Sequence, residues 1–169
     1  MKRIPTHRKK SSAQISGLLF LLGQSFNRKA WHGTNLRGSV RGLKAREAAW
    51  RPSPEKHNIR EIVIHCAYWK YIVRRRILGE KKGSFPIEGS NWFRRSKLSE
   101  QAWKDDVGLL DACHQSLMEA ISGLSDGELL KTPTGSKVNN LAIITGIASH
   151  DVYHAGQIQL LKRLSRSGR

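Results

Sequence analysis

Apolar residues recur along this chain at the three- and four-residue spacing of amphipathic helices, in four long segments separated by turn-rich stretches. The first spans residues 12–26, where Ile15, Leu18, Leu19, Leu22 and Phe26 share a face. The second opens at Asn58, a favourable helix cap, with Glu61 three residues on to complete a capping box, and stops at Gly79. Its apolar face carries Ile59, Ile62, Val63, Cys66, Trp69, Val73 and Ile77. The third, capped by Ser99, runs to about residue 124 with Trp103, Val107, Leu110, His114, Leu117, Ile121 and Leu124 alternating by four and three. The fourth covers about 138–164. There Ile143, Ile147, His150, His154, Leu161 and Leu164 form one seam, and Leu141, Ile144, Ala148, Val152 and Ala155 occupy the alternate face. A helix apolar nearly all round is expected to be the most buried of the four.

The connections are long. Residues 27–57 hold glycines and prolines, with a short helix expected over 35–43 and with Trp31, Leu36, Val40, Leu43 and Trp50 placed to pin the segment to the bundle. A crossover at 80–98 carries Phe85, Trp92 and Phe93, and a break at 126–136 precedes the last helix. No strand-like alternation competes with these segments, so the expected fold class is all-α, a four-helix bundle with long connections. The domain organisation follows: a basic, flexible N-terminal tip at 1–11, a single bundle at 12–164 and a basic C-terminal tip at 165–169.

Composition narrows the class. With 169 residues, 38% hydrophobic and 25% charged, the chain suits one globular domain with a real core. Cys66 and Cys113 lie 47 positions apart with no C-x-x-C, which argues against a disulfide scaffold or a thiolate zinc site and makes a reducing compartment the default. The basic run at 2–10 followed by the apolar stretch at 15–22 imitates a secretory signal. The stretch is short, however, and no small-residue cleavage site follows it, so the segment reads as the first amphipathic helix and the expected location is the cytoplasm. No other stretch reaches the length of a membrane span.

The net charge of +17 is uneven, with 23 lysines and arginines against 5 acidic residues over 1–97, and 3 against 8 over 98–161. Such a field attracts nucleic acid or anionic metabolites. Without an aromatic-basic recognition motif it implies at most weak, sequence-blind and salt-sensitive nucleic-acid binding beside the plainer reading of a solvated basic surface.

The chemistry lies in the histidines. His150 and His154 stand one helical turn apart, so their rings project from one face, between the apolar Ile147 and Leu161. Two neighbouring buried imidazoles repel when protonated and need partners when neutral; a metal ion satisfies both. His65 adds a third imidazole from the apolar face of another helix, making a facial set with positions left open for water or substrate. The residues alone admit a second reading, three core histidines each with its own hydrogen bond. The stretch differs from the zincin motif H-E-x-x-H, because Asp151 stands where that motif has its general-base glutamate, so a zincin-type peptidase is rejected. Asp151 then either orients a neighbouring group or faces solvent.

The stretch GIASHDVYHAGQIQLLK at 146–162 resembles the closing helix of the DinB-like (YfiT-like) metal-binding bundles. IREIVIH at 59–65, followed by Tyr68 and Trp69, is similar to their second helix with its metal-binding histidine, and WHGTNL at 31–36 and FPIEGSNW at 85–92 are similar to one branch of the family. The likeness extends over about 12–164. It implies an up-down-down-up four-helix bundle that holds one divalent ion, zinc or nickel, on His65, His150 and His154 plus water, often as a homodimer. Some members are thiol-dependent S-transferases or isomerases that use a low-molecular-weight thiol, which makes a metal- and thiol-dependent S-transferase the leading functional expectation, with a small-molecule substrate of unidentified structure. A non-catalytic metal- or ligand-binding module or a weakly nucleic-acid-associated basic protein is the alternative, and a metal-dependent hydrolase a second one.

Other residues carry weaker expectations. His114 is read as a structural histidine of the third helix before a fourth ligand, His32 as part of loop packing before a roof to the cavity, and His57 as exposed. Gln157 and Tyr153 flank the pair on the last helix, and Gln157 is a candidate contact for a metal-bound water. Of Arg74, Arg75 and Arg76, at most one can face the site. Trp69, Trp92 and Trp103 are expected in the core and cavity wall, and the two cysteines as small buried apolar residues.

Overall fold

The computed structural model describes residues 12–83 and 85–167. The described residues form seven helices: α1 (Ala13–Phe26), α2 (Leu36–Ser39), α3 (Ala45–Ala49), α4 (Ile59–Leu78), α5 (Glu100–Ser122), α6 (Asp126–Leu129) and α7 (Asn140–Ser167). The described residues include no strand. The N-terminal tip read at 1–11 lies outside the described residues, as do 168–169 of the C-terminal one; α7 continues through the rest of that tip.

The helix boundaries follow from local chemistry. The Ser12 hydroxyl accepts from the Ile15 N–H to cap α1, and the Ser99 hydroxyl accepts from Ala102 to cap α5. Asn58 and Glu61 form the reciprocal capping box of α4, which ends on Gly79 in the left-handed region at φ 67°. The first connection holds two short helices, α2 capped by Asn35 and then α3, rather than one, and the break after α5 holds α6.

The four long helices pack as neighbours in a closed cycle, α1 against α7, α7 against α4, α4 against α5 and α5 against α1. One core cluster joins Phe26, Ile62, Cys66, Trp103, Leu110 and Ile158; a second joins Ile15, Leu22, Val73, Leu117, Ile144 and Ile147. Most of the residues predicted to pin the first connection do so, but Trp31 does not: it is 99% exposed.

A second correction concerns α7. The helix with the longest run of buried residues is α4, which is covered continuously from Ile59 to Ala67, whereas α7 leaves Leu141, Val152, Leu160 and Leu164 at the surface. The buried stripe of α7 runs through Ile144, Ile147, Ala148, Asp151, His154, Ala155 and Ile158, rotated from the predicted seam. This rotation leaves His154 buried and sets His150 at the edge of the stripe.

The crossover after α4 is tied down by charge. Arg60 on α4 and Arg95 in the loop both donate to the buried Asp106 carboxylate of α5, and Arg60 also donates to the Lys97 carbonyl. Beside these pairs Phe85, Phe93, Tyr68 and Tyr71 form an aromatic cluster. The intervening residues Asn91 and Trp92 are thereby carried to the surface of α4 near His65.

Candidate metal centre

His65 from α4 and His150 and His154 from α7 meet where the two helices pack. The Nε2 atom of His150 lies 3.1 Å from the Nε2 of His65 and 3.1 Å from that of His154. His65 and His154 are buried and His150 is partly so.

The outer nitrogens fix the tautomers of two rings. His65 Nδ1 lies 2.9 Å from the Asn91 carbonyl oxygen, which can only accept, so Nδ1 carries the proton and Nε2 presents a lone pair. His154 Nδ1 lies 2.7 Å from Gln157 Oε1, while the Gln157 amide nitrogen donates to the Tyr153 hydroxyl at 3.0 Å. His154 therefore also turns a bare Nε2 inward. His150 Nδ1 is buried with no hydrogen-bond partner among the described residues.

Three neutral rings thus face one another across Nε2 atoms with at most one proton, that of His150, to share among them. Protein groups alone leave a lone pair or a buried N–H without a proper partner, whereas one divalent cation accepts all three lone pairs. The donor set fits a metal ion, and His65, His150 and His154 form one of two groups of potential ligands among the described residues; Cys66, His150 and Asp151 form the other.

The electrostatics agree with this geometry. Burial depresses the His150 pKa to about 3, with further lowering by His154, His65 and Lys70. Burial and the neighbouring His65 take His154 to about 4, against a raising contribution from Gln157. His65 is lowered as well, by burial first, although its bond to Asn91 opposes the shift. All three rings are neutral at physiological pH, the form that ligates metal.

A family model of the DinB superfamily matches residues 29–158, a span that takes in all three histidines, the whole of α4 and α7 as far as Ile158. The chain belongs to the DinB superfamily. Among curated proteins and among solved structures nothing matches it.

In this DinB-superfamily chain the surroundings of the triad are aromatic. Trp92 lies between His65 and His57, stacked on the first at 3.9 Å and on the second at 3.6 Å between ring centres. Trp69 meets His65 and His150 edge-on, and its indole N–H donates to Asn91 Oδ1 at 3.0 Å. His57, read from sequence as exposed, is exposed yet engaged, since its Nδ1 lies 3.1 Å from Glu61 Oε2.

Asp151 neither faces solvent nor touches the open side of the triad. It is fully buried and pairs with the equally buried Lys70 at 2.5 Å, with Ser25 at 3.5 Å. Burial raises its pKa while the Lys70 ammonium pulls it back down.

The remaining candidates lie elsewhere. His32 is exposed, and His114 is buried against Phe26 with ring centres 3.8 Å apart. Arg74 pairs with Glu80, and Arg75 donates to the Glu80 carbonyl at the end of α4. Trp103 is a core residue whose indole donates to the Leu43 carbonyl, so Trp69 and Trp92 rather than Trp103 border the histidines. Cys66 is buried, with its thiol pushed up in pKa by burial and by Asp151, and burial takes Cys113 to about 11. Neither is a thiolate.

Sequence reasoning missed Asn91 and Lys70. Asn91 had one signal: it follows Gly89 and Ser90, and asparagine is among the few residues that tolerate its left-handed φ of 61°. Lys70 had a clearer one, a charge four residues after Cys66 and three before Val73, in the buried register of α4.

Proposed function

We propose that this protein holds one divalent ion, zinc or nickel, on His65, His150 and His154, and that it is a metal- and thiol-dependent S-transferase acting on a small molecule. The observation that carries this reading is the convergence of three imidazole Nε2 atoms, two of them with their Nδ1 protons committed to Asn91 and Gln157. Imidazole ligands suit both metals. The reading includes an up-down-down-up four-helix bundle, a cytoplasmic location and a homodimer, as the family resemblance implies.

A divalent ion bound there supplies the charge that keeps a coordinated low-molecular-weight thiol in its nucleophilic thiolate form near neutral pH. The chain's own residues do the rest. Asn91 and Gln157 hold two rings in the ligating tautomer, and Trp92 shields one side of His65. An apolar pocket of about 330 Å³, lined by Ile62, Trp92, Gln157, Leu160 and Leu161, lies behind the two groups that touch His65 and His154. Lys56 also lines it and suits an anionic end of the thiol or its acceptor.

A hydrolase needs a base at the open side of the metal, and Asp151, the carboxylate beside His150 in the chain, is committed to Lys70. The non-catalytic binding module is therefore the stronger alternative.

The test is conjugation of carboxylate-bearing thiols to a generic aromatic electrophile, with metal-loaded wild type and His154→Ala compared. Conjugation above background in the wild type and absent from the variant supports transfer. No metal-dependent rate with any thiol, together with an unchanged spectrum of a cobalt-substituted site on adding thiol, would leave the binding module in front.

A further inference from the structure

A second pocket lies away from the metal centre, between the end of α1, α2 and the middle of α5. It encloses about 540 Å³ and is lined by Phe26, Asn27, Arg37, Arg41, Asp111, His114 and Gln115. None of these residues belongs to the triad, and the pocket draws on no residue of α7.

His114 forms its floor. The side chain is only 5% exposed, its ring stacks on Phe26 at 14° between planes, and Nδ1 is buried without a hydrogen-bond partner among the described residues. A neutral imidazole has one N–H, and leaving that donor at the unpartnered Nδ1 forfeits a hydrogen bond. The proton is better placed on Nε2, where a molecule in the pocket can accept it.

The walls are donors too. Arg37 Nε bonds to both Asp111 oxygens, at 2.9 and 3.1 Å, and its two terminal nitrogens have no partner among the described residues. Arg41 is exposed and makes no ion pair among the described residues, and Asn27 adds an amide. Arg28 is close enough to act on His114 by its charge. Arg37 and Arg41 against Asp111 leave the lining with a net positive charge, which attracts an anion, and donors on Arg37, Arg41, Asn27 and His114 outnumber what the two oxygens of a carboxylate can meet from one side. Burial, Lys70 and Arg28 depress the His114 pKa to about 3, so the ring is a neutral donor and not a further cation.

We propose that this pocket binds the phosphate group of a small phosphorylated metabolite, held by Arg37, Arg41 and Asn27 over the His114 ring. A phosphate monoester carries close to two negative charges at neutral pH and three outward oxygens, enough to accept from donors on several sides. Planar guanidinium forks suit these oxygens.

The experiment is a titration of the full chain, metal-depleted so that anions do not compete for the other site. Inorganic phosphate and, separately, acetate are added at constant ionic strength near neutral pH. Binding is followed by calorimetry and by the imidazole resonances of isotopically labelled protein. Saturable phosphate binding that shifts His114 while sparing His65, His150 and His154 is expected. Acetate should bind at least about tenfold more weakly, and Arg41→Gln should weaken phosphate by about tenfold, the effect of one lost charge-assisted bond. Arg41 is exposed, so this variant keeps the fold, and its circular dichroism checks that. His114→Phe, which preserves the stack on Phe26, should also weaken binding. Phosphate effects that do not saturate, equal affinity for acetate, indifference to Arg41→Gln, or shifts confined to the triad would each overturn the proposal.

Discussion

The main-chain carbonyl of Asn91 accepts the Nδ1 proton of His65 at 2.9 Å, from a backbone position in the left-handed region. A residue 26 positions away thus sets which nitrogen of His65 faces its partners. Asn91→Val places a β-branched residue at a φ it strongly disfavours, and should move the carbonyl and cost about 10- to 100-fold in metal affinity. Asn91→Gly keeps the backbone, loses only the side-chain bond to Trp69, and should cost much less. Competition with a chromophoric chelator measures both; equal losses would mean that the carbonyl is not what matters.

Elemental analysis after dialysis should find one divalent ion per wild-type chain and none held by His150→Ala or His154→Ala. His32→Ala is the proper control, because His32 is exposed and outside the cluster. His57→Ala is not an inert control, since removing its ring uncovers one face of Trp92. Stoichiometric metal surviving in both triad variants would refute the site.

Acid should destabilise the metal-free protein before its carboxylates titrate. His150 and His114 are held at about 3 and His154 at about 4, each chiefly by burial, against about 6.5 when unfolded. The unfolded chain therefore binds more protons than the folded one below pH 6.5, and stability falls as pH drops through that value. Each such histidine adds about 1.4 kcal/mol per pH unit to the limiting slope. Urea unfolding between pH 7 and 5, in chelator, should show this decline, and His114→Phe should make it shallower by up to one proton. A flat profile over that window would show that the rings are not held neutral.

Lys70 and Asp151 bury opposite charges against each other with no exposure on either side. Lys70→Met leaves the carboxylate alone in the core and should cost about 3–5 kcal/mol, as broken buried pairs do. The double variant Lys70→Met with Asp151→Leu should recover much of that loss, because the desolvation cost disappears with both charges. Chemical denaturation of the wild type, Lys70→Met, Asp151→Leu and the double variant gives the coupling directly, and a near-additive cycle would show that the pair is not coupled.

What was legible in the sequence was local. Asn58, Glu61 and Gly79 announce the ends of α4 because caps act within a few residues, and the one-turn spacing of His150 and His154 places both rings on one face. The rotation of α7 was not legible, since leucines and isoleucines on both faces hide which face meets the core, and Lys70 and Asp151 fix it through a contact 81 positions apart. Trp31 misled because hydrophobicity favours burial without ensuring a neighbour to be buried against. Asn91 left only a faint mark, a residue tolerant of left-handed backbone after Gly89 and Ser90, because the group that bonds His65 is a main-chain carbonyl and residue identity does not reveal it. The all-helical class needed none of these long-range contacts.

The unequal division of the three histidines between two helices shapes how an ion would act on folding. A chain that has lost its tertiary packing but kept α7 helical still offers the His150–His154 pair as a two-toothed chelate. The third ligand returns only when α4 docks. Stabilisation by a ligand reflects only its preference for one state over another. The ion would therefore act as a rivet between α4 and α7: it contributes little to making either helix, and its grip is felt in the resistance of their seam to being prised apart.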